Sequence, residues 1–325
     1  MTRRRAVLGR LRGWGGVAAM AVAIVLTAVF VLLPVLHSRG QESGASPGGP
    51  GVAKARPAAD SCKDPEASVR PSGGSGPEIE KIKDRGRLVV GVDQNSYRWG
   101  YRDPNKPGGD LEGFDIDLVH EIAEKILGDP DKVQFRAIPT NQRIPAIQSG
   151  DVDMVVRTMT INCERIEDVD FSTAYFETGQ QVLAPKNSKI TGYDDSLSGK
   201  KLCLATGSTA EAALKKKSYG ADLSTTVPNQ LDCLVRLQLG EVDAIVTDGA
   251  LGAGQAAQDP TIELKGEPFT EEFYGVAMKK GATKLVARVN QVLVDYRKNG
   301  WKASYDAWLA ADLGKSSGPP AAKYR

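Results

Sequence analysis

VDMVVRTMTINCERIEDVDFSTAYF, residues 152–176, is the stretch on which the interpretation of this chain depends. It begins with a short apolar run, 154–156, of the kind that forms a buried parallel strand. Small hydroxyl side chains follow at Thr158 and Thr160, and Arg165 comes shortly after them. Threonine hydroxyls and free backbone N–H groups donate hydrogen bonds, and a guanidinium group donates two parallel ones to a carboxylate. The stretch therefore predicts a carboxylate-binding site at the end of a strand.

Composition excludes several classes of protein. The chain has 325 residues, 41% hydrophobic and 25% charged, which is enough for two modest globular domains. The net charge is only +2, and much of the basic excess lies in the first dozen residues, so nucleic acid is not expected as a partner. His37 and His120 are the only histidines, and no Cys-x-x-Cys pair exists. We therefore expect no zinc site, no histidine-based triad and no cofactor.

The N-terminal region predicts a membrane anchor. Residues 17–36 are an uncharged apolar run of about the length that crosses a bilayer as a helix, and the arginine-rich segment 1–16 fits the cytoplasmic side. The alternative is a cleaved signal peptide, whose apolar core is usually shorter and ends at small residues. Residues 37–77 are rich in Gly, Pro, Ala and Ser and predict a disordered linker. We expect an uncleaved single-pass signal anchor in the cell membrane, with the globular part extracytoplasmic.

The globular part predicts two α/β domains. Strands alternate with helices from about residue 78, which favours mainly parallel sheets. One construction occurs twice, as Gly150 and Gly240 each precede an acidic residue, a Val-Asp pair and a buried strand. Two domains built alike, each with a polar strand end, are typical of a two-lobed binding protein. We place lobe 1 at 78–183 plus 274–314, lobe 2 at 184–273, and a disordered tail at 315–325.

Three motifs resemble the polar amino-acid solute-binding proteins that feed ABC importers, known as bacterial solute-binding protein family 3. They are the string 153–175, the G-x-L-x-V-G-V-D strand at 86–93 and the G-F-D-x-D-L element at 113–118. The resemblance covers about residues 78–313 and is to the glutamate-binding type of actinobacteria. It implies an α/β, two-lobed type II periplasmic-binding-protein fold with two hinge strands. It also implies a monomer that binds a free amino acid between its lobes and delivers it to ABC permease membrane subunits.

The resemblance implies where a carboxylate is bound. It places the ligand's α-carboxylate on Arg165, assisted by the hydroxyl of Thr160 and the backbone at Thr158. Ser208 and Thr209 of lobe 2 open a helix, whose N–H groups and dipole suit an anion. The alternatives are a plain surface ion pair for Arg165 and an ordinary helix cap at Ser208, and the cap and the ligand contact can coexist.

The resemblance places the ligand's ammonium group on Asp248, at the end of the strand VDAIVTD. Asp93 at the end of the first strand is a second acid there, and Tyr97 or Trp99 would cover the ligand's methylene groups. A turn or helix cap is the alternative for Asp248. The acids of the G-F-D-x-D-L element are expected to favour a helix N-terminus rather than to contact a ligand.

Arg157 departs from the family pattern, which has a small or apolar residue at this position. A second arginine beside Arg165 is costly to bury unless it meets an anion. One carboxylate needs one arginine, whereas a dicarboxylic amino acid can use both, so glutamate or aspartate is favoured over glutamine or a basic amino acid. The alternative is that Arg157 points away and pairs with an acid of the protein.

The cysteines are expected to form disulfides, because an exported location is oxidising. Cys203 and Cys233 both fall in lobe 2, which leaves Cys62 and Cys163 to join the linker to lobe 1. Connectivity cannot be derived from sequence alone, so this pairing is a hypothesis, and a reactive Cys163 is the alternative.

Two other functions compete with transport. A sensor would use the same lobes to pass amino-acid availability to a membrane partner, and the predicted anchor is compatible with it. An amino-acid dehydratase-like enzyme would need a general acid or base at the ligand, and no histidine falls in the site motifs, so no enzyme is predicted.

Overall fold

Short apolar runs form the strands, and helices with one apolar face cover them. The structure is a computed structural model that describes residues 62–103, 105–106 and 108–325. The helices are α1 (Pro77–Arg85), α2 (Phe114–Leu127), α3 (Arg143–Ser149), α4 (Arg165–Asp168), α5 (Thr209–Lys216), α6 (Gln230–Gln238), α7 (Gly249–Gln258), α8 (Thr283–Asn299), α9 (Trp301–Trp308) and α10 (Ala310–Leu313). The strands are β1 (Leu88–Val92), β2 (Asn95–Ser96), β3 (Gly100–Arg102), β4 (Leu111–Glu112), β5 (Val133–Ala137), β6 (Met154–Val155), β7 (Val169–Phe171), β8 (Phe176–Thr178), β9 (Gln180–Pro185), β10 (Lys201–Ala205), β11 (Asp222–Val227), β12 (Ala244–Asp248), β13 (Ile262–Lys265), β14 (Glu272–Tyr274) and β15 (Ala277–Lys279).

The first lobe is built on a five-stranded sheet in the order β5-β1-β6-β15-β7. The strands β5, β1 and β6 run parallel, and β15 returns antiparallel between β6 and β7. Helices α2, α8 and α9 pack on one another and bury a core that includes Phe114, Leu118, Val289 and Trp301. The parallel arrangement sends the carboxyl ends of β1 and β6 to the same edge of the sheet.

The second lobe repeats the plan with a sheet in the order β11-β10-β12-β9-β13. Here β11, β10 and β12 run parallel, and β9 and β13 are antiparallel. Gly150 and Gly240 precede the corresponding strands β6 and β12 and have φ values of 79° and 70°, in the left-handed region where glycine is favoured. The predicted two-lobed α/β construction is therefore confirmed.

The lobes are joined by a pair of antiparallel strands, β8 and β14, in which Phe176 lies opposite Tyr274. The chain crosses to lobe 2 here, so all of β9 belongs to the second sheet. The boundary predicted after residue 183 is therefore too late by about one strand. The apolar run of β9, Val182–Ala184, is typical of a strand in either lobe. Only its pairing with β12 and β13 shows that it belongs to lobe 2.

The two segments predicted to be disordered differ from that expectation where the structure describes them. Residues 62–76 lie against lobe 1, and Ser68 pairs with Tyr324 of the tail as neighbouring extended chains. The Ser68 hydroxyl donates to the carbonyl of Phe171 at 2.7 Å, and Asn290 donates to Ser68 at 2.8 Å. Composition missed this order because contacts with lobe 1 and with each other, and not a core of their own, hold the two segments.

Residues 17–36 and the rest of the predicted anchor lie outside the described residues. Within residues 62–103, 105–106 and 108–325, no helix is both long enough and apolar enough to cross a membrane.

The acids of the G-F-D-x-D-L element do not cap α2. The Asp117 carboxylate accepts hydrogen bonds from Ser304 at 2.6 Å and Trp308 at 2.8 Å, which attaches α2 to α9. Asp115 accepts from the Tyr175 hydroxyl at 2.8 Å and the Thr158 backbone N–H at 3.0 Å. Both residues are structural, as expected, but through tertiary contacts.

Both predicted disulfides are present: Cys203 is bonded to Cys233, and Cys62 is bonded to Cys163. The first attaches α6 to β10 inside lobe 2. The second fixes the end of the linker beside the loop that carries Arg165.

Replacing Cys203 and Cys233 together by serine removes a crosslink between positions separated by 30 residues. Releasing a loop of this size should lower the free energy of unfolding by about 3 kcal/mol. Urea unfolding of the double variant measures the change. An unfolding free energy equal to that of the parent protein would contradict this expectation.

Candidate functional site

The carboxyl ends of strands from both sheets meet at one cleft between the lobes. In folds of this class such strand ends are where ligands bind, because polar loop residues and helix N-termini converge there. The cleft encloses a cavity of about 30 Å³. Its lining combines charged, amide and hydroxyl side chains with a few apolar ones, namely Asp93, Thr140, Arg143, Arg157, Thr158, Thr160, Arg165, Gln180, Ala205, Ser208, Thr209, Ala210, Gln230, Thr247, Asp248 and Leu251.

Most of the predicted ligand-binding residues line this cavity. They come from both lobes, and they are Asp93, Arg157, Thr158, Thr160, Arg165, Ser208, Thr209 and Asp248. Two predicted residues do not line it. Trp99 is buried in the lobe 1 core, edge-on to Phe176 with ring centroids 4.7 Å apart, and Tyr97 packs against Tyr101. The prediction for Trp99 is wrong, because the β2–β3 hairpin turns this side chain inward, and that for Tyr97 stays a prediction.

Arg165 is 8% exposed and begins the short helix α4. Its guanidinium donates to the backbone carbonyl of Thr160 at 2.8 Å and to that of Gly207, in the other lobe, at 3.2 Å. Burial lowers the pKa of Arg165, and the nearby Glu272 and Asp248 carboxylates oppose this effect. Arg165 is therefore not a surface ion pair. It is a buried cation facing the cleft.

Arg157 lines the cavity and also has a partner in the protein. Its Nη2 lies 2.7 Å from a carboxylate oxygen of Asp93, and its Nη1 donates to the Thr140 hydroxyl at 3.1 Å. Asp93 is itself fixed by backbone N–H groups of Gln94 and Asn95. The alternative in which a protein acid pairs with Arg157 is therefore what the structure contains, and Asp93 is engaged by that pair.

Arg143 is a site residue that the sequence analysis missed. It begins α3, is 5% exposed, and donates to backbone carbonyls only, including that of Thr140 at 2.9 Å. Burial lowers its pKa well below the ordinary value, and the neighbouring Arg165 and Arg157 guanidinium groups add to this effect. Among the residues that the structure describes, no carboxylate lies within ion-pair distance of Arg143 or Arg165. The position of Arg143, shortly after the end of β5, is the sequence signal that could have identified it as a site residue.

Asp248 ends β12 and does not cap the helix that follows. It accepts hydrogen bonds from the Tyr274 hydroxyl and from the side-chain amide of Gln180. Burial, reinforced by the nearby Glu272 carboxylate, raises the pKa of Asp248 to about 7. A buried carboxyl group with a raised pKa is well suited to bind a cation, because a positive charge beside it favours its ionised form.

The loop residues have mixed roles. The backbone N–H of Thr158 already donates to Asp115, so it is not available to a ligand. The Ser208 side chain caps α5 by accepting from the N–H of Glu211 at 3.1 Å, as the alternative for this residue expected. Thr209 donates from its hydroxyl to Glu272 at 2.8 Å. Glu272 is a second residue that the analysis missed, since nothing in the pair Glu271-Glu272 distinguishes a buried acid from an exposed one.

The lobes touch across the cleft in this conformation. Besides the bond from Arg165 to Gly207, the N–H of Thr140 donates to the carbonyl of Pro228 at 3.1 Å. A cavity of about 30 Å³ holds about one water molecule. An outer cavity of about 390 Å³ shares Arg143, Arg165 and Thr209 with the inner one. The lobes must therefore separate to admit anything the size of an amino acid.

The comparisons with known proteins agree with this architecture. The family model of the bacterial extracellular solute-binding proteins, family 3, matches residues 88–311. The chain belongs to that family. It is 38% identical over 235 residues to an ABC transporter glutamine-binding protein of Bacillus subtilis, covering 72% of this chain and 85% of the relative. It is 31% identical over 245 residues to a glutamate-binding protein of Corynebacterium efficiens, covering 72% of this chain and 81% of the relative.

A solved structure gives the same result for the fold. The solute receptor for L-cysteine of Neisseria gonorrhoeae is similar with a TM-score of 0.68 and 31% identity, over 73% of this chain and 95% of that one. The family model describes extracellular solute-binding proteins, and the relative from Bacillus subtilis is named as the glutamine-binding protein of an ABC transporter. The two-lobed, periplasmic-binding-protein-like α/β fold predicted from the sequence is therefore confirmed.

The buried acids make the stability of the protein depend on pH. Burial raises the pKa of Asp115 and of Asp248 to about 7, so the folded state binds protons that the unfolded state releases above about pH 4. We expect the free energy of unfolding to fall as the pH rises from about 4 to 7, by on the order of 3 kcal/mol per group.

Urea unfolding of the ligand-free protein from pH 5 to pH 8 measures this dependence. Asp115→Asn should reduce the slope, and Asp84→Asn, at an exposed acid of α1, should leave it unchanged. A stability that rises over this range in the parent protein would contradict the assignment.

Proposed function

We propose that the protein binds L-glutamate or L-aspartate in the cleft and delivers it to an ABC importer. The observation that carries the proposal is the presence of two guanidinium groups, those of Arg143 and Arg165, that line one buried cavity and contact only carbonyl oxygens among the described residues. A buried cation is stabilised only by an opposite charge and hydrogen bonds. A ligand with two carboxylates supplies both missing charges.

The groups of the cleft match an acidic amino acid one by one. Arg165, which bridges to Gly207 of the other lobe, takes the α-carboxylate. Asp248, which has no cation within ion-pair distance among the described residues, takes the ammonium group. Arg143, with Arg157 beside it, takes the side-chain carboxylate. The sequence predicted that Arg157 binds the side-chain carboxylate. We propose that Arg143 is the main group that binds it, because Asp93 already neutralises Arg157.

Binding would work by closure of the lobes. Arg165 lies in lobe 1 and Asp248 in lobe 2, so one ligand contacts both and favours the closed form. The closed form is then what the permease subunits receive. The relatives support this part of the proposal, since those from Bacillus subtilis and Corynebacterium efficiens are named as a glutamine-binding and a glutamate-binding protein.

We place the globular part outside the cytoplasmic membrane, held by residues 17–36 as a single-pass anchor. The two disulfides support an oxidising location, because crosslinks of this kind persist outside the cytoplasm. The protein would act as a monomer next to its permease.

Glutamine is the second candidate ligand. The 38% identical relative from Bacillus subtilis is a glutamine-binding protein, and the pairing of Arg157 with Asp93 removes one of the positive charges that favour an acidic side chain. The two ligands differ by one charge at the end of the side chain, so the arginine that faces this end decides between them.

Calorimetric titration of residues 62–325 with glutamate, aspartate, glutamine, asparagine and arginine tests the proposal. We expect glutamate or aspartate to bind best. Arg165→Ala should weaken every ligand by about 100-fold, because all amino acids have an α-carboxylate. Arg143→Gln should weaken glutamate and aspartate by about tenfold or more and change glutamine little.

Arg136→Gln is the matched control, since Arg136 is exposed on β5, away from the cleft, and its loss should leave every affinity unchanged. Best binding of glutamine with no effect of Arg143→Gln would establish the second candidate. Absence of binding by the whole panel would contradict both.

Ligand binding should release protons below neutral pH. Near Asp248, whose pKa burial raises to about 7, an ammonium group favours the carboxylate and displaces its proton. At pH 6 the apparent binding enthalpy should therefore depend on the ionisation enthalpy of the buffer, and at pH 8.5 this dependence should vanish. Titrations in two buffers at each pH measure it, and Asp248→Asn, if it still binds, should show no release. Equal enthalpies in both buffers at pH 6 would be the contradicting result.

A further inference from the structure

Glu272 is a buried acid that the proposed function does not use. It lies on the connecting strand β14 and is 5% exposed. Its Oε2 accepts hydrogen bonds from the hydroxyl of Thr160 at 2.5 Å and from that of Thr209 at 2.8 Å. Thr160 belongs to lobe 1 and Thr209 to lobe 2, and both line the cavity. One carboxylate oxygen therefore holds a hydroxyl from each side of the cleft.

These hydrogen bonds fix which way the hydroxyl protons point. A threonine hydroxyl has one proton and two lone pairs, and a carboxylate has no proton to offer. Both threonines must therefore donate to Glu272, and what each hydroxyl can offer the cavity is a lone pair. The bond from the Gln180 amide to the Thr209 hydroxyl at 3.1 Å agrees with this direction, because it requires a lone pair on that oxygen.

We propose that Glu272 is a positioning residue that turns the hydroxyls of Thr160 and Thr209 into acceptors for the ligand's ammonium group. This proposal rests on the proposed function, since it assumes that the cleft binds an amino acid. For Thr160 it reverses the role predicted from the sequence, which was that its hydroxyl assists in binding a carboxylate. A hydroxyl cannot do both with a single proton.

The proposal divides the cleft into two chemically distinct parts. Asp248, Thr160 and Thr209 form an acceptor set for an ammonium group, while Arg143 and Arg165 provide the donors for carboxylates. Because Thr160 and Thr209 come from opposite lobes, the acceptor set is complete only when the lobes are closed. Glu272 would thereby couple recognition of the α-amino group to closure, without contacting the ligand.

The test compares two ligands that differ only in the amino group. L-glutamate and glutarate share both carboxylates, and glutarate lacks the ammonium group. Glu272→Met removes every acceptor at similar volume, and Glu272→Leu, which also has no acceptor, is the second variant in case the first fails to fold. Calorimetry, with competition titration for weak ligands, gives the ratio of the two affinities. We expect the ratio of glutamate affinity to glutarate affinity to fall about tenfold or more in the variants. The hydroxyls are then no longer held as acceptors for the ammonium group, and only glutamate has that group.

A structural role for Glu272, such as holding the lobes together, would weaken both ligands equally, and an unchanged ratio would overturn the proposal. A rise in affinity for both ligands would overturn it too, since it would mean that the freed hydroxyls donate to carboxylates. Glu271→Gln, at the exposed neighbouring acid, should leave the ratio unchanged.

Failure of this proposal and of the proposed function give different results. If the parent protein binds another amino acid, the same comparison is made with that amino acid and the matching acid without the α-amino group. If the parent binds no amino acid, the proposed function fails. If the parent binds and only the ratio is unaffected, the role of Glu272 alone is excluded.

Discussion

Burial of positive charge is the constraint on which the cleft of this protein depends. Arg143 and Arg165 begin the helices α3 and α4 of lobe 1, Arg157 follows β6, and each is almost inaccessible to solvent. Only Arg157 has a carboxylate partner among the described residues, and the other two are held by backbone carbonyls. Such groups cost free energy unless an anion completes them. The architecture around them is therefore that of a site prepared for a ligand that brings negative charge.

The connecting strands make the link between the lobes part of this site. Strand β14 carries Glu272 into the cleft and Tyr274 against Asp248, so the connection between the lobes contributes directly to the polar network. The network includes groups from both lobes, and separation of the lobes must break it. Closure and recognition are thus linked through the same hydrogen bonds. The two disulfides lie outside this network, one within lobe 2 and the other two residues before Arg165, so neither crosslinks the two lobes.

The sequence predicted the fold and half of the cavity lining, because strand periodicity, glycine helix ends and the string 153–175 are local signals. The sequence did not predict features that depend on contacts between residues far apart in the chain. Trp99 was expected at the ligand, but the hairpin that carries it turns into the lobe 1 core. Arg143 and Glu272 were missed because their polar contacts include residues distant in the sequence, such as Arg157 for Arg143 and Thr160 for Glu272. The order of the tail was missed because the segment it pairs with, around Ser68, is far away in the sequence.

The most direct test of this account is a crystal structure of the protein grown with L-glutamate. The account predicts the α-carboxylate on Arg165, the ammonium group on Asp248 and the side-chain carboxylate within hydrogen-bond distance of the Arg143 guanidinium. The lobes should lie slightly further apart than they do around the cavity of about 30 Å³ described above. A bound ligand whose side-chain carboxylate meets no guanidinium group, with Arg143 still bonded to carbonyl oxygens alone, would contradict the account.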